Sequence, residues 1–280
     1  MNTPTEPQGH AAHSSSRPPV GQTSLLAVFA LAMPLVFVLC VVAALIPGVP
    51  WWVGIPLGLG VAVGYVVLRM RRAVDLLLGA LGASPSSADD RPRLHNIVEG
   101  LSLAGGVDEP DLFVVDDDGR NMASVAYGSR TAVVVSSGLL TALDRISLEG
   151  VVAEALVRIR SGDAEAATLG FALFGPLLTG PLSALGKPVA AVGLRRLLPE
   201  DRDLTADRDA VGLTRYPPGL YRGLSTIRAG SARIASAAEA SEHVWLVPPS
   251  ATRSSEGSGG PASVVDSAPL DLRIDVLGEL

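Results

Sequence analysis

The residue types that perform catalysis are sparse in this chain and poorly spaced for it. Four histidines, His10, His13, His95 and His243, and one cysteine, Cys40, are its only imidazole and thiol metal ligands, and no two histidines sit four apart in a plausible helix. That spacing matters because imidazoles at i and i+4 share a helix face and can grip one ion, whereas a thiolate cluster or a disulfide needs two sulfurs. A lone cysteine excludes both of the latter and leaves the redox compartment unreadable. Ser136 and Ser137 have no histidine beside them in a hydrolase pattern and read as strand or turn polarity. The glycine-containing stretch at 100–106 lacks the Lys-Ser or Lys-Thr that completes a phosphate loop. Asp116, Asp117 and Asp118 superficially resemble the start of a calcium loop, but no closing Glu follows at the required distance, so they read as a solvated turn. One pair does stand in a favourable electrostatic order: Glu154 precedes Arg158 by four residues.

Elements must position these groups, and composition limits which. The 280 residues are 48% apolar and 18% charged with a mean hydropathy of +0.38, which excludes a disordered chain and an ordinary soluble domain. Some of the chain belongs in lipid. A formal charge of −6 and a pI near 5.2, without a long basic run, argue against a nucleic-acid partner.

Residues 1–23 are rich in Pro, Ser and Thr and read as a disordered tail, in which His10 and His13 could bind a metal only adventitiously. Residues 24–46 form an uncharged, almost wholly apolar run of 23 residues, enough at about 1.5 Å per residue to cover the roughly 30 Å hydrocarbon core. Cys40 falls within it as a small packing or lipid-facing residue. After a turn at Pro47 and Gly48, residues 51–68 form a second uncharged run, with Trp51 and Trp52 where an interfacial aromatic belt would stand. The two predict a transmembrane hairpin over 24–68. Arg69, Arg71 and Arg72 follow the second span and Arg17 precedes the first, so the positive-inside rule places the N-terminus and everything after residue 69 in the cytoplasm.

Beyond a polar hinge at 84–90, apolar residues at helical spacing (Leu94, Ile97, Val98, Leu101) predict a helix stopped by Gly105 and Gly106. Residues 111–116, 122–128 and 131–136 read as strands, the last two as a hairpin. Ser147 is a candidate N-cap for a helix with Leu148, Val151, Val152, Ala155, Leu156 and Ile159 on one stripe, closed by Gly162. A helix, a small sheet and a second helix in this order predict an α+β domain. Residues 166–186 carry no charge, but their glycines and prolines make a poor continuous helix, which leaves a re-entrant or interfacial hairpin over 166–194, bending near Pro176 to Pro181, or a buried core hairpin. Helices are expected at 203–213 and 217–229, helix or linker at 231–242, a flexible linker from 250 and a short terminal helix at 270–280. The domain-like body spans 84–249.

The segments Asn96-Ile97-Val98-Glu99-Gly100-Leu101, Asn121-Met122-Ala123, Val133 through Leu140, Leu148-Glu149-Gly150-Val151-Val152-Ala153, and Arg202-Asp203-Leu204-Thr205-Ala206-Asp207 carry a resemblance to the HtpX-type membrane zinc metallopeptidases, relatives of the CAAX prenyl proteases. It continues in the closing segments at 244–249 and 268–274, so it covers roughly residues 25 to 280. It implies a zincin-like, helix-rich cytoplasmic domain with a small β-sheet behind a multi-pass anchor in the inner membrane of a bacterium, acting in protein quality control.

The implied chemistry is missing. Where the family carries HExxH, with two zinc-binding imidazoles and a Glu that activates water, this chain reads Glu154-Ala155-Leu156-Val157-Arg158. The family's third ligand, a Glu, corresponds to Asp203; its neighbouring acids correspond to Asp163 and Asp207. Arg158 puts a permanent positive charge at the second ligand position, where at about 4 Å and an effective dielectric near 20 each unit of like charge costs on the order of 4 kcal/mol. Zinc, the family's cofactor, is therefore expected to be absent, and Ala155 offers nothing to take a proton from water. No catalytic residue is intact. Arg158 is expected to bridge Glu154 and Asp203 in the vacated position, the alternative being a solvated Glu154–Arg158 pair worth roughly 0.3 to 0.5 kcal/mol. The reading is a non-catalytic pseudoprotease that binds or regulates membrane proteins, taking a peptide segment along the strand of Val133, Val134, Val135, Ser136 and Ser137 or partnering an active protease. The alternative is an active zinc endopeptidase with Glu154 and Asp203 as unusual ligands.

Overall fold

A computed structural model describes residues 51–179, 183–250 and 267–280. The tail at 1–23, the first apolar run at 24–46, Cys40 and the linker at 251–266 lie outside the described residues. The second apolar run begins helix α1 (Trp51–Arg71), followed by α2 (Ala73–Leu81). Among the described residues no helix is long and apolar enough to cross a membrane. The described part of α1 nevertheless leaves Trp52, Leu57, Val61 and Leu68 exposed, at 64%, 63%, 59% and 50%.

The body is α+β. A four-stranded mixed sheet has the order β1-β2-β4-β3, from β1 (Ser84–Pro85), β2 (Asp111–Val115), β3 (Met122–Tyr127) and β4 (Arg130–Ser136). β4 runs parallel to β2, with Val133 opposite Leu112, and antiparallel to β3, with Val133 opposite Ser124. Gly128, at φ +60°, makes the tight β3–β4 turn, a conformation that glycine adopts without a Cβ clash. Both faces of β4 are buried because it is an unbroken apolar run. Val133 and Val135 point into one core and Ala132 and Val134 into the other, as the two-residue period of a strand requires.

Helices cover both faces. On the Val133 side lie α3 (Pro92–Gly105), α5 (Arg145–Ser161), α8 (Arg202–Thr214), α9 (Pro217–Ala229) and the terminal α10 (Leu270–Gly278); on the other lie α2, α6 (Asp163–Thr179) and α7 (Ser183–Leu197). A short α4 (Ser137–Ala142) links the sheet to α5. Residues 231–242 settle into turns and a 3-10 segment (Glu239–Val244).

Two expectations are corrected. Asp144, not Ser147, caps α5: its carboxylate accepts the Ser147 backbone N–H at 2.7 Å, so the helix starts a turn earlier. The stretch from 166 turns back on itself: α6 ends at Thr179 and α7, from Ser183, packs against it so closely that a Cβ on Gly170 would meet Leu194 at 2.6 Å and one on Gly193 the Phe174 ring at 2.4 Å. Finally, the strand assigned to peptide pairing has no open edge. Val133, Val134 and Val135 pair with strands on both sides, Ser136 pairs with Val115 of β2 and donates its backbone N–H to the Asn121 carbonyl just before β3, and Ser137 already begins α4.

Candidate functional site

The site grows out of α5, the helix at the centre of the body. From Ser147 to Arg158 every residue but Glu149 is buried, so its polar positions must find partners inside the protein. Gly150 is what lets α9 approach so closely: a Cβ there would meet the Leu220 backbone N at 2.4 Å. Glu154 and Arg158 stand one turn apart on the face turned toward α8, and they are 1% and 4% exposed.

Arg158 lies between two carboxylates. Its Nε donates to Glu154 Oε1 at 2.5 Å, and a terminal guanidinium nitrogen donates to Asp203 Oδ1 at 2.8 Å. Asp203, in the first turn of α8, accepts the Ala268 backbone N–H on its other oxygen at 3.0 Å, and Arg202 Nε stands 3.6 Å away. Asp207, one turn further along α8, faces a second guanidinium. Arg273 of α10 grips it with two bonds of 2.7 Å, donates to the Leu246 carbonyl at 2.8 Å and reaches Glu154 Oε1 at 3.4 Å. Three buried carboxylates are thus interleaved with three buried arginines.

The electrostatics follow from burial and this pairing. Burial pushes the Glu154 carboxyl up, against the pull of Arg158 and Arg273. Asp203 is raised by burial too, but Arg158, Arg273 and Arg202 outweigh that and hold it below the ordinary aspartate value. Arg158 resists the downward effect of burial because Glu154 and Asp203 favour its charge, and Asp207 does the same for Arg273. Burial, then the neighbouring Arg158, bring Arg202 down to about 10.

The remaining sequence candidates divide between nearby scaffolding and distant sites. The side chain of Ala155 points into the apolar core and only its carbonyl bonds, accepting from Ser124 Oγ at 3.3 Å. Asp163 accepts from Ser161 Oγ at 2.8 Å at the start of α6. Asn121, overlooked as an individual residue, is fully buried and ties three segments together through Ala232 O at 2.9 Å, Val247 O at 2.6 Å and the backbone N of Met122 at 3.0 Å. Ser136 Oγ caps α4, and Asp117 organises its loop by accepting from the backbone N–H groups of Gly119 and Ala235. His243 is buried against α6, with Nε2 2.9 Å from the Ala167 carbonyl. His95 stands elsewhere, beside a cavity of about 530 Å³ that Ser86, Glu109 and Asp111 also line. Arg273 is the functional residue that residue-type reasoning missed; its only sequence signal is its place in a closing segment of the family kind.

The arrangement does not fit a zinc ion. Each carboxylate that could ligate one is already bonded to a guanidinium, and among the described residues no group of three or more His, Cys, Asp or Glu is placed to hold a metal. No step through a metal is therefore derived.

Comparison with known proteins adds relatives. A protein of Dictyoglomus thermophilum named Protease HtpX homolog is 31% identical over 180 residues, 55% of this chain and 59% of that protein. Proteins of the same name from Tropheryma whipplei and Listeria monocytogenes are each 26% identical, over 215 and 258 residues, covering 74% and 84% of their own lengths. The chain spans about 59% to 60% of the length of the two Dictyoglomus relatives it matches. No family model matches the chain, and no solved structure matches it.

Proposed function

Because the chain is related to the HtpX-type proteases, we propose that it is a membrane-anchored member of that lineage whose peptidase site has been converted into a structural ion network. It acts by binding or regulation, on membrane-protein segments or on an active protease, rather than by hydrolysis. The observation that carries this is the Arg158 guanidinium between Glu154 and Asp203, where the family's metal-binding side chains would converge. A cation bonded there repels a second cation, and its two partners already share their charge with guanidinium groups. Ala155 puts no base at the position where the family's water-activating Glu would stand.

The apolar run at 24–46 and the exposed apolar side chains of α1 support membrane attachment, with the body on the cytoplasmic side beside Arg69, Arg71 and Arg72. Since β4 is closed on both edges, a bound peptide segment must use another surface.

The test is elemental analysis of the full chain purified in detergent, with casein cleavage measured with and without chelator. Zinc well below one equivalent and no chelator-sensitive cleavage are expected. Stoichiometric zinc with chelator-sensitive cleavage would establish instead an active endopeptidase with Glu154 and Asp203 as ligands. Restoring the family pattern in E154H/A155E/R158H should raise bound zinc above that of the parent chain.

A further inference from the structure

We infer that the last turns of α1 and α7 form a basic collar that binds the headgroups of anionic phospholipids. The inference rests on the membrane reading above. It starts from α6, which lies between the two helices. On one side, Arg69 Nε donates to the Ala172 carbonyl at 2.8 Å, which sets the end of α1 at the level of residue 172. On the other, Leu194 meets Gly170 and the Phe174 ring meets Gly193, which sets the end of α7 at the level of 170–174. Arg71 and Arg72 follow Arg69 within one turn, and Arg195 and Arg196 follow Leu194 directly. At about 1.5 Å per residue, both sets of arginines lie within roughly one helical turn of a common plane.

Two features make that plane fit a lipid surface rather than a soluble anion. Exposed apolar side chains precede the arginines in both helices: Val61, Val67 and Leu68 in α1, Val189 and Val192 in α7. A band of apolar surface bordered by guanidinium groups matches acyl chains capped by phosphates, and a guanidinium donates two parallel bonds to a phosphate. Arg71, Arg72 and Arg196 are exposed, whereas Arg69 is fixed by its carbonyl and by the Tyr65 ring 6.0 Å away. Asp75, a carboxylate that feels the charge of Arg72, is occupied by two bonds from Arg130 at 2.7 and 3.0 Å.

The experiment uses the full chain in a maltoside detergent, supplied with phosphatidylglycerol or with phosphatidylcholine. The lipids that stay bound are counted by native mass spectrometry, and inorganic phosphate is added as a competitor. Retention of phosphatidylglycerol at several times that of phosphatidylcholine, unaffected by millimolar phosphate, is expected. R71Q/R72Q/R196Q should bring the two lipids to parity, while R71K/R72K/R196K keeps most of the preference, because both variants change only exposed side chains. Equal retention in the parent, loss of the lipid to free phosphate, or a preference that survives in the Gln variant would overturn the inference. Alkaline carbonate extraction of membranes from the expressing cells separates this failure from that of the membrane reading. Release of the chain overturns both, and a retained chain without lipid preference overturns the collar alone.

Discussion

At the residue scale, Arg158 is the side chain on which two buried carboxylates depend for their charge balance. A guanidinium is flat, permanently charged and able to donate on several edges, so one side chain satisfies Glu154 and Asp203 at once. Removing it would leave two carboxylates in the protein interior with less than their compensating charge. Arg158→Ala is accordingly expected to lower unfolding stability by about 3–5 kcal/mol. The double variant E154M/R158M should recover part of that loss, since one of the stranded charges goes with its partner. Urea unfolding of the full chain in detergent measures both, and a loss under 1 kcal/mol for the Ala variant would mean the pair behaves like an exposed one. The missing metal pattern was legible from residue types and spacing alone: residues 154–158 contain no histidine. The sequence also suggested Arg158 as a bridge, but left open a solvated surface pair. Burial of 1% for Glu154 and 4% for Arg158 decides between these, and no periodicity argument could supply it, because α5 is enclosed on every side rather than along one stripe.

At the scale of elements, the terminal helix α10 is the piece whose role its own sequence understates. Nine residues are too few to hold a helix in water, and Pro269 before it makes no side-chain cap. What holds it is the pair of hydrogen bonds that Arg273 donates to Asp207, with Ile274 and Leu277 buried beneath. Arg273→Ala should therefore release α10 while the sheet persists. Hydrogen exchange over 268–278 is expected to rise by roughly tenfold or more with β2 and β4 unchanged. Unaltered exchange there would show that the apolar contacts suffice. The α6–α7 pair teaches a related lesson in the opposite direction. Gly170 reads as a helix breaker in isolation, yet it and Gly193 are the positions where Leu194 and Phe174 enter the opposite helix. Glycine lowers intrinsic helix stability by about 1 kcal/mol, which close packing between two helices readily exceeds.

For the whole molecule, stability should carry the signature of what the interior encloses. His243 sits in the body with its ring against the Ala167 carbonyl, and burial, then the charge of Arg202, bring its pKa from 6.5 down to about 4. A histidine lowered in the folded state binds fewer protons there than when unfolded. Its contribution is therefore present above pH 6.5 and lost as pH falls toward about 4, a loss of about 3 kcal/mol over that window. Glu154, raised by burial, has the opposite slope, losing its contribution as pH rises through its folded value. Comparing the parent with His243→Gln isolates the histidine: thermal midpoints of the variant should fall less between pH 6.5 and 4.5. Parallel profiles would show that His243 does not titrate on unfolding. The chain order by itself determined the α+β class, three of the four strands, the resemblance and the absence of the metal motif, because alternation, helical spacing and residue type are local properties written along the chain; β1, at Ser84–Pro85, reads as part of a polar hinge. Only the tertiary structure decided that β4 is closed, that Arg158 is enclosed and that Arg273 from the far end completes the network. Strand pairing, burial and charge compensation depend on which distant segments meet, and that is settled by packing the apolar faces together rather than by any one of them.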